Sequence, residues 1–70
     1  MNKFTCGQKA KVTEPIWKQG ARGRLQRGDI VDVIAVFNAK DKKQIVSIKH
    51  ETEGVFLDIV DPIRCLLPLN

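Results

Sequence analysis

The chain has 70 residues, a formal net charge of +4 and 43% hydrophobic residues. That predicts one globular domain over residues 1–70, burying only about 60% of its unfolded surface, with no room for a second core. No stretch approaches the ~20 apolar residues of a membrane span and the N-terminus lacks the apolar run of a secretory leader, so the expected setting is cytoplasmic with no membrane partner.

No window of eleven or more residues carries a 3.6-residue apolar period uninterrupted by glycine or proline, so helices are not expected. Gln8-Lys9-Ala10-Lys11-Val12-Thr13 alternates, which predicts a strand with Lys9 and Lys11 together on the solvent face and Ala10 and Val12 opposite. Pro15 ends that strand, and Gly20, Gly23 and Gly28 make residues 16–29, IWKQGARGRLQRGD, a loop of tight turns. Ile30 to Phe37, IVDVIAVF, is apolar or β-branched almost throughout, which predicts a strand covered on both faces for part of its length, with Asp32 its one exposed point. NAKDKK, 38–43, is a polar hairpin connection, and in QIVSIKH, 44–50, Val46 and Ile48 alternate with Ser47 and Lys49. ETEG turns the chain with Gly54 available for a left-handed position, and VFLDIV follows as a strand, with Asp58 on it and Asp61 just after it read as surface residues. DPIR, 61–64, is a tight helical turn begun by Pro62, and CLLPL is a short closing strand that Pro68 keeps at an edge. The sum is an all-β domain, a small five-stranded barrel.

Charge is distributed unevenly along this fold. Residues 1–28 hold Lys3, Lys9, Lys11, Lys18, Arg22, Arg24 and Arg27 against Glu14 alone, whereas residues 29–70 hold more acids than bases. An anionic partner is therefore drawn first to the N-terminal third. Arginine forks and lysines hold phosphates, aromatic rings stack on single-stranded bases, and glycines let a loop follow a backbone closely. The candidate binding set for nucleic acid or another partner is Lys9, Lys11, Trp17, Lys18, Arg22, Arg24 and Arg27. Against it stand two plainer readings: basic loop residues that only keep a small barrel soluble, and a Trp17 buried as a core or lid residue. For Trp17 the core or lid position is the expectation, because three phenylalanines and this tryptophan are all the aromatic area the chain has.

Catalysis is not expected. His50 is the only histidine and reads as a hairpin-end residue, Asp58 and Asp61 fall on opposite faces of an extended strand, and no thiol, acid or imidazole set has metal-ligand spacing. Neither a cofactor nor a metal is expected. Cys6 and Cys65 lack C-x-x-C spacing and are expected to be free thiols. Arg27-Gly28-Asp29 equals an adhesion tripeptide, but the Gly-Asp pair is better explained as the turn that launches the Ile30 strand.

The order of these pieces resembles the Src homology 3 (SH3) barrel family. LQRGDIVDVI places Leu25 ahead of the Gly28-Asp29 pair that opens the second strand, EGVF (Glu53 to Phe56) is similar to the acid-glycine-apolar start of the fourth, and DPIRCLLPL fills the places of the helical turn and last strand. The chain departs from the proline-peptide-binding members: it has no tyrosine, QIVSIKH carries no tryptophan, and LDIV follows Phe56. It lacks the VQIY pore string of the plasmid-type dihydrofolate reductases that share this architecture. What the resemblance implies is one of the small SH3-like barrels of bacteria and phages, which include ribosomal, nucleic-acid-binding and inhibitor proteins; a phage-encoded chain would act in the host cytoplasm.

Two functions follow as expectations. The first is a non-enzymatic module that binds nucleic acid, RNA or DNA, or a ribonucleoprotein through residues 17–27. The second is a protein-interaction module or phage-type inhibitor whose basic loop meets an acidic protein surface or whose strand edge pairs with a partner. A homo-oligomer is a third arrangement, since the apolar strand 30–37 is richer than one small barrel needs.

Overall fold

The structure, a computed structural model, describes residues 3–17, 23–38 and 43–69. Along the chain run β1 (Lys9–Val12), β2 (Ile16–Trp17), β3 (Arg24–Leu25), β4 (Ile30–Asn38), β5 (Gln44–His50), β6 (Gly54–Val60), a 3-10 turn (Pro62–Arg64) and β7 (Leu66–Leu69). The domain is all-β, as expected, with a helical turn at the predicted place. Five strands form one antiparallel sheet in the order β6-β5-β4-β1-β7, and β2 and β3 form a separate two-stranded ladder. Pro68 lies in β7 at one end of the large sheet, where its missing N–H costs no ladder bond on the free side.

The core gathers Phe4, Ala10, Val12, Ile16, Leu25, Val31, Val33, Val46, Ile48, Phe56 and Leu66, with Val36 and Ile59 against it. Phe4 reaches it from the segment before β1. Its N–H donates to Gln44 Oε1 at 2.7 Å and its carbonyl accepts from Gln44 Nε2 at 3.0 Å, so one side-chain amide clamps the N-terminal segment to the start of β5.

Three expectations about this sheet need correction. Strand 30–37 is not covered on both faces: Val31 and Val33 point inward, while Ile30, Asp32, Ile34 and Phe37 face out. A domain of this size has one core, so β4 meets it with one face and turns the other to solvent. Residues 16–29 are not wholly loop, since the β2–β3 ladder stands within them. Ser47 is not a solvent-facing residue; it is buried, 3% exposed, like its neighbours Val46 and Ile48.

The cause is a pair of bulges flanking Ser47. On one side β4 has an extra residue, because Val33 pairs with Ile48 but Ala35 pairs with Ser47. On the other side Val46 pairs with Ile59 and Ile48 with Phe56, so Leu57 and Asp58 together oppose Ser47. Asp58 takes φ +55°, and its N–H donates to Ser47 Oγ at 3.3 Å. A bulge shifts alternation by one residue and bends the strand. Beyond it the register row Val36, Val46, Ile59 packs on the core, and the next row, Phe37, Ile45, Val60, lies on the other face, with Phe37 57% exposed.

Candidate nucleic-acid interface

The β2–β3 ladder pairs Ile16 with Leu25 and Trp17 with Arg24. Period-2 geometry sends the first pair inward and the second outward. Leu25 is fully buried and Ile16 nearly so, which anchors the ladder in the core. Trp17 is 69% exposed, so the expected core or lid position is wrong. Leu25, Ile16 and Phe4 fill the volume instead, and the indole stands outside with the Arg24 guanidinium over its ring at 4.9 Å from the centroid. That separation is within cation–π range.

The hairpin is held from two sides. Arg24 N–H donates to Glu53 Oε1 at 3.2 Å in the β5–β6 turn. In that turn His50 Nδ1 accepts from the backbone N–H groups of Thr52 at 3.3 Å and Glu53 at 3.1 Å, an arrangement that places the ring proton on Nε2. Nε2 faces Asp29 Oδ2 at 3.9 Å, and the same oxygen accepts from Gln26 N–H at 2.8 Å. His50 thus occupies the expected hairpin end, where it organises a turn. Gly28 at φ +98° and the Asp29 carboxylate close the 26–29 turn that launches β4.

Of the remaining candidates, Lys11 and Arg27 are exposed. The 26–29 turn is bonded to β1 through Gly28 N–H to the Val12 carbonyl and Val12 N–H to the Asp29 carbonyl, both 2.8 Å, which sets Arg27 beside the C-terminal end of β1. Lys9 shares a face with Lys11, as expected, but its ammonium is paired with Asp32 at 2.8 Å across the β1–β4 ladder. The hydrogen bond that Lys9 donates to Asp32, and then the carboxylate's charge, raise the Lys9 pKa above the ordinary 10.5. An anion reaching Lys9 meets Asp32 as well. Lys18 and Arg22 lie outside the described residues, as do 39–42 of the NAKDKK connection.

Sequence reasoning missed an open groove of about 750 Å³ beside the hairpin. Ile16 and Trp17 form one wall and residues 55–59 of β6 the other. Phe56 is buried, Leu57 is 70% exposed, and Asp58 contributes the one charged side chain of the lining among the described residues. Only the acid interrupting the apolar run VFLDIV hints at it in the sequence. The Cys6 and Cys65 thiols are free, and burial, followed by the charge of Asp61, pushes the Cys65 thiol pKa up from 9.0. Among the described residues no helix is long and apolar enough to cross a membrane. Comparison with protein-family models, with curated protein sequences and with solved structures gives no match.

Proposed function

We propose that this chain is a non-enzymatic binding module of the SH3-like kind that holds single-stranded nucleic acid on the outer face of its β2–β3 hairpin. One observation carries the reading: the only tryptophan of the sequence stands 69% exposed with the Arg24 guanidinium over its ring, at the edge of an open groove. An exposed indole beside a guanidinium is the pairing on which bases stack while phosphates are neutralised. Arg24, Arg27 and Lys11 supply charge around it, and the resemblance is supported by the Gly28-Asp29 turn opening β4 and by the 3-10 turn ahead of the last strand. The site works in the cytoplasm under this reading, and no cofactor takes part.

The test is an amide-resolved NMR titration with short single-stranded and duplex DNA and RNA at low and near-physiological salt. The expected result is shifts centred on Trp17, Arg24 and Arg27 that persist for the single strands, with an affinity that falls as salt rises because counterions are released. Equal weak shifts with every anion, vanishing with salt, refute it.

A second reading rests on a different observation. Phe37, Leu57, Val60 and Ile63 are exposed, and β6 and β7 end the sheet. These features suit a protein partner or a second copy of the chain. Sedimentation across a concentration series tests the second copy, and a monomer at every concentration refutes it.

A further inference from the structure

We propose that the groove between Trp17 and β6 selects guanine, with the Asp58 carboxylate reading the base; the inference rests on the nucleic-acid reading above. Among the described residues the groove is lined by apolar groups and one acid, and the Asp58 carboxylate has no hydrogen-bond or ion-pair partner. The Asp58 carboxylate repels a phosphate, so the sugar-phosphate chain is placed near Arg24 and the base in the groove. With Arg24 over one face of the Trp17 ring, a base stacks on the other, against the apolar wall of Leu57 and Val55.

The carboxylate then decides which base is held. It only accepts hydrogen bonds, through two parallel oxygens. Guanine is the base whose Watson–Crick edge sets two donors side by side, N1–H and the N2 amino group. Adenine and cytosine each set one donor beside a ring-nitrogen acceptor, and thymine or uracil flanks its N3–H with carbonyl oxygens. Each of these therefore turns an acceptor toward a carboxylate oxygen. Asp58 is also held in place: its backbone sits in the left-handed region and its N–H is bonded to the buried Ser47 hydroxyl, so the bulge aims the side chain.

The experiment measures binding by fluorescence anisotropy for short thymidine oligomers carrying one central guanine, inosine, adenine, cytosine or thymine. The intact protein should prefer guanine by roughly 10-fold, the scale of one bidentate base contact at a solvated site. Inosine, which lacks the 2-amino group, should lose most of that preference on the unaltered protein. Asp58→Asn keeps a residue that tolerates the left-handed backbone and sets a donor beside an acceptor, an edge that every base can match, so its preference for guanine should be lost. Equal binding of all five oligomers, abolished by Trp17→Ala, overturns the guanine inference and leaves the nucleic-acid reading standing. No binding by any oligomer overturns both. Guanosine monophosphate binding as tightly as the guanine oligomer overturns a nucleic acid as the source of the base.

Discussion

Replacing Trp17 and Leu25 one at a time tests the placement on which the site depends. The two residues lie in the same short ladder, one facing out and one facing in. With 69% of Trp17 exposed, about a third of a side chain of up to ~250 Å² is covered, or ~75 Å². At about 25 cal/mol per Å² this is ~2 kcal/mol, an upper value because Ala keeps part of the contact and the unfolded chain is not fully extended. Trp17→Ala should therefore lower stability by roughly 1–2 kcal/mol in a urea titration, with the m-value unchanged. Leu25→Ala removes a fully buried side chain and should cost about 2–5 kcal/mol. A domain of this length has about 4–10 kcal/mol in total, so the Leu25 variant should lie near its unfolding threshold. Binding should respond in the opposite sense: Trp17→Ala should weaken a single-stranded oligomer about 5- to 150-fold, the range for loss of one stacked base. A Trp17→Ala loss of 3–5 kcal/mol, the cost of truncating a buried tryptophan, would refute the outward placement, and unchanged oligomer affinity would refute the stacking role.

Gln44→Ala removes both hydrogen bonds that clamp Phe4 and should cost about 1–2 kcal/mol by urea unfolding; hydrogen exchange should rise first at Phe4 and Thr5, and uniform exchange across the sheet would contradict a local clamp. Asp32→Asn should lower the Lys9 side-chain titration, followed by NMR, toward its ordinary range. Because the folded value is raised, the stability from this pair is present below 10.5 and lost as pH climbs through the folded value, so the variant and the parent should converge in strong alkali. Maleimide should label exposed Cys6 before half-buried Cys65, as read by mass spectrometry of peptides; equal rates would place Cys65 in solvent. Above pH 9.0 the unfolded Cys65 thiol ionises while the folded one holds its proton, so this group lowers stability as pH rises there, and Cys65→Ser should flatten that decline.

The strands were legible where composition and alternation agree. Lys9 to Val12 alternates cleanly because one face of β1 meets the core, and the turns at Gly28-Asp29, Gly54 and Pro62 carry residues whose backbone preferences are nearly unambiguous. An unbroken apolar run has no phase, so IVDVIAVF could not show which of its residues face out. The placement of Ser47 depends on bulges in β4 and β6, which are properties of paired strands and have no local mark in QIVSIKH. The Gln44 clamp on Phe4 spans forty positions and is equally invisible to a local reading.

The same distinction runs through the candidate site. Its chemistry was legible as a cluster of residue types between Trp17 and Arg27, because charge and aromaticity are properties of composition. Its geometry was not, because a general preference for burying scarce aromatic area pointed Trp17 inward, whereas the two-residue ladder offers two inward places and Ile16 and Leu25 take them. Those aliphatic chains join the core without stranding a polar N–H, which a buried indole would bring with it. Trp17 is left outside by default of the register, beside Arg24 and above a groove whose acid lies forty-one positions further along the chain. A site assembled this way owes its residue types to the loop and its shape to the core beneath, so single changes at Ile16 or Leu25 should displace the indole as surely as a change at Trp17 removes it.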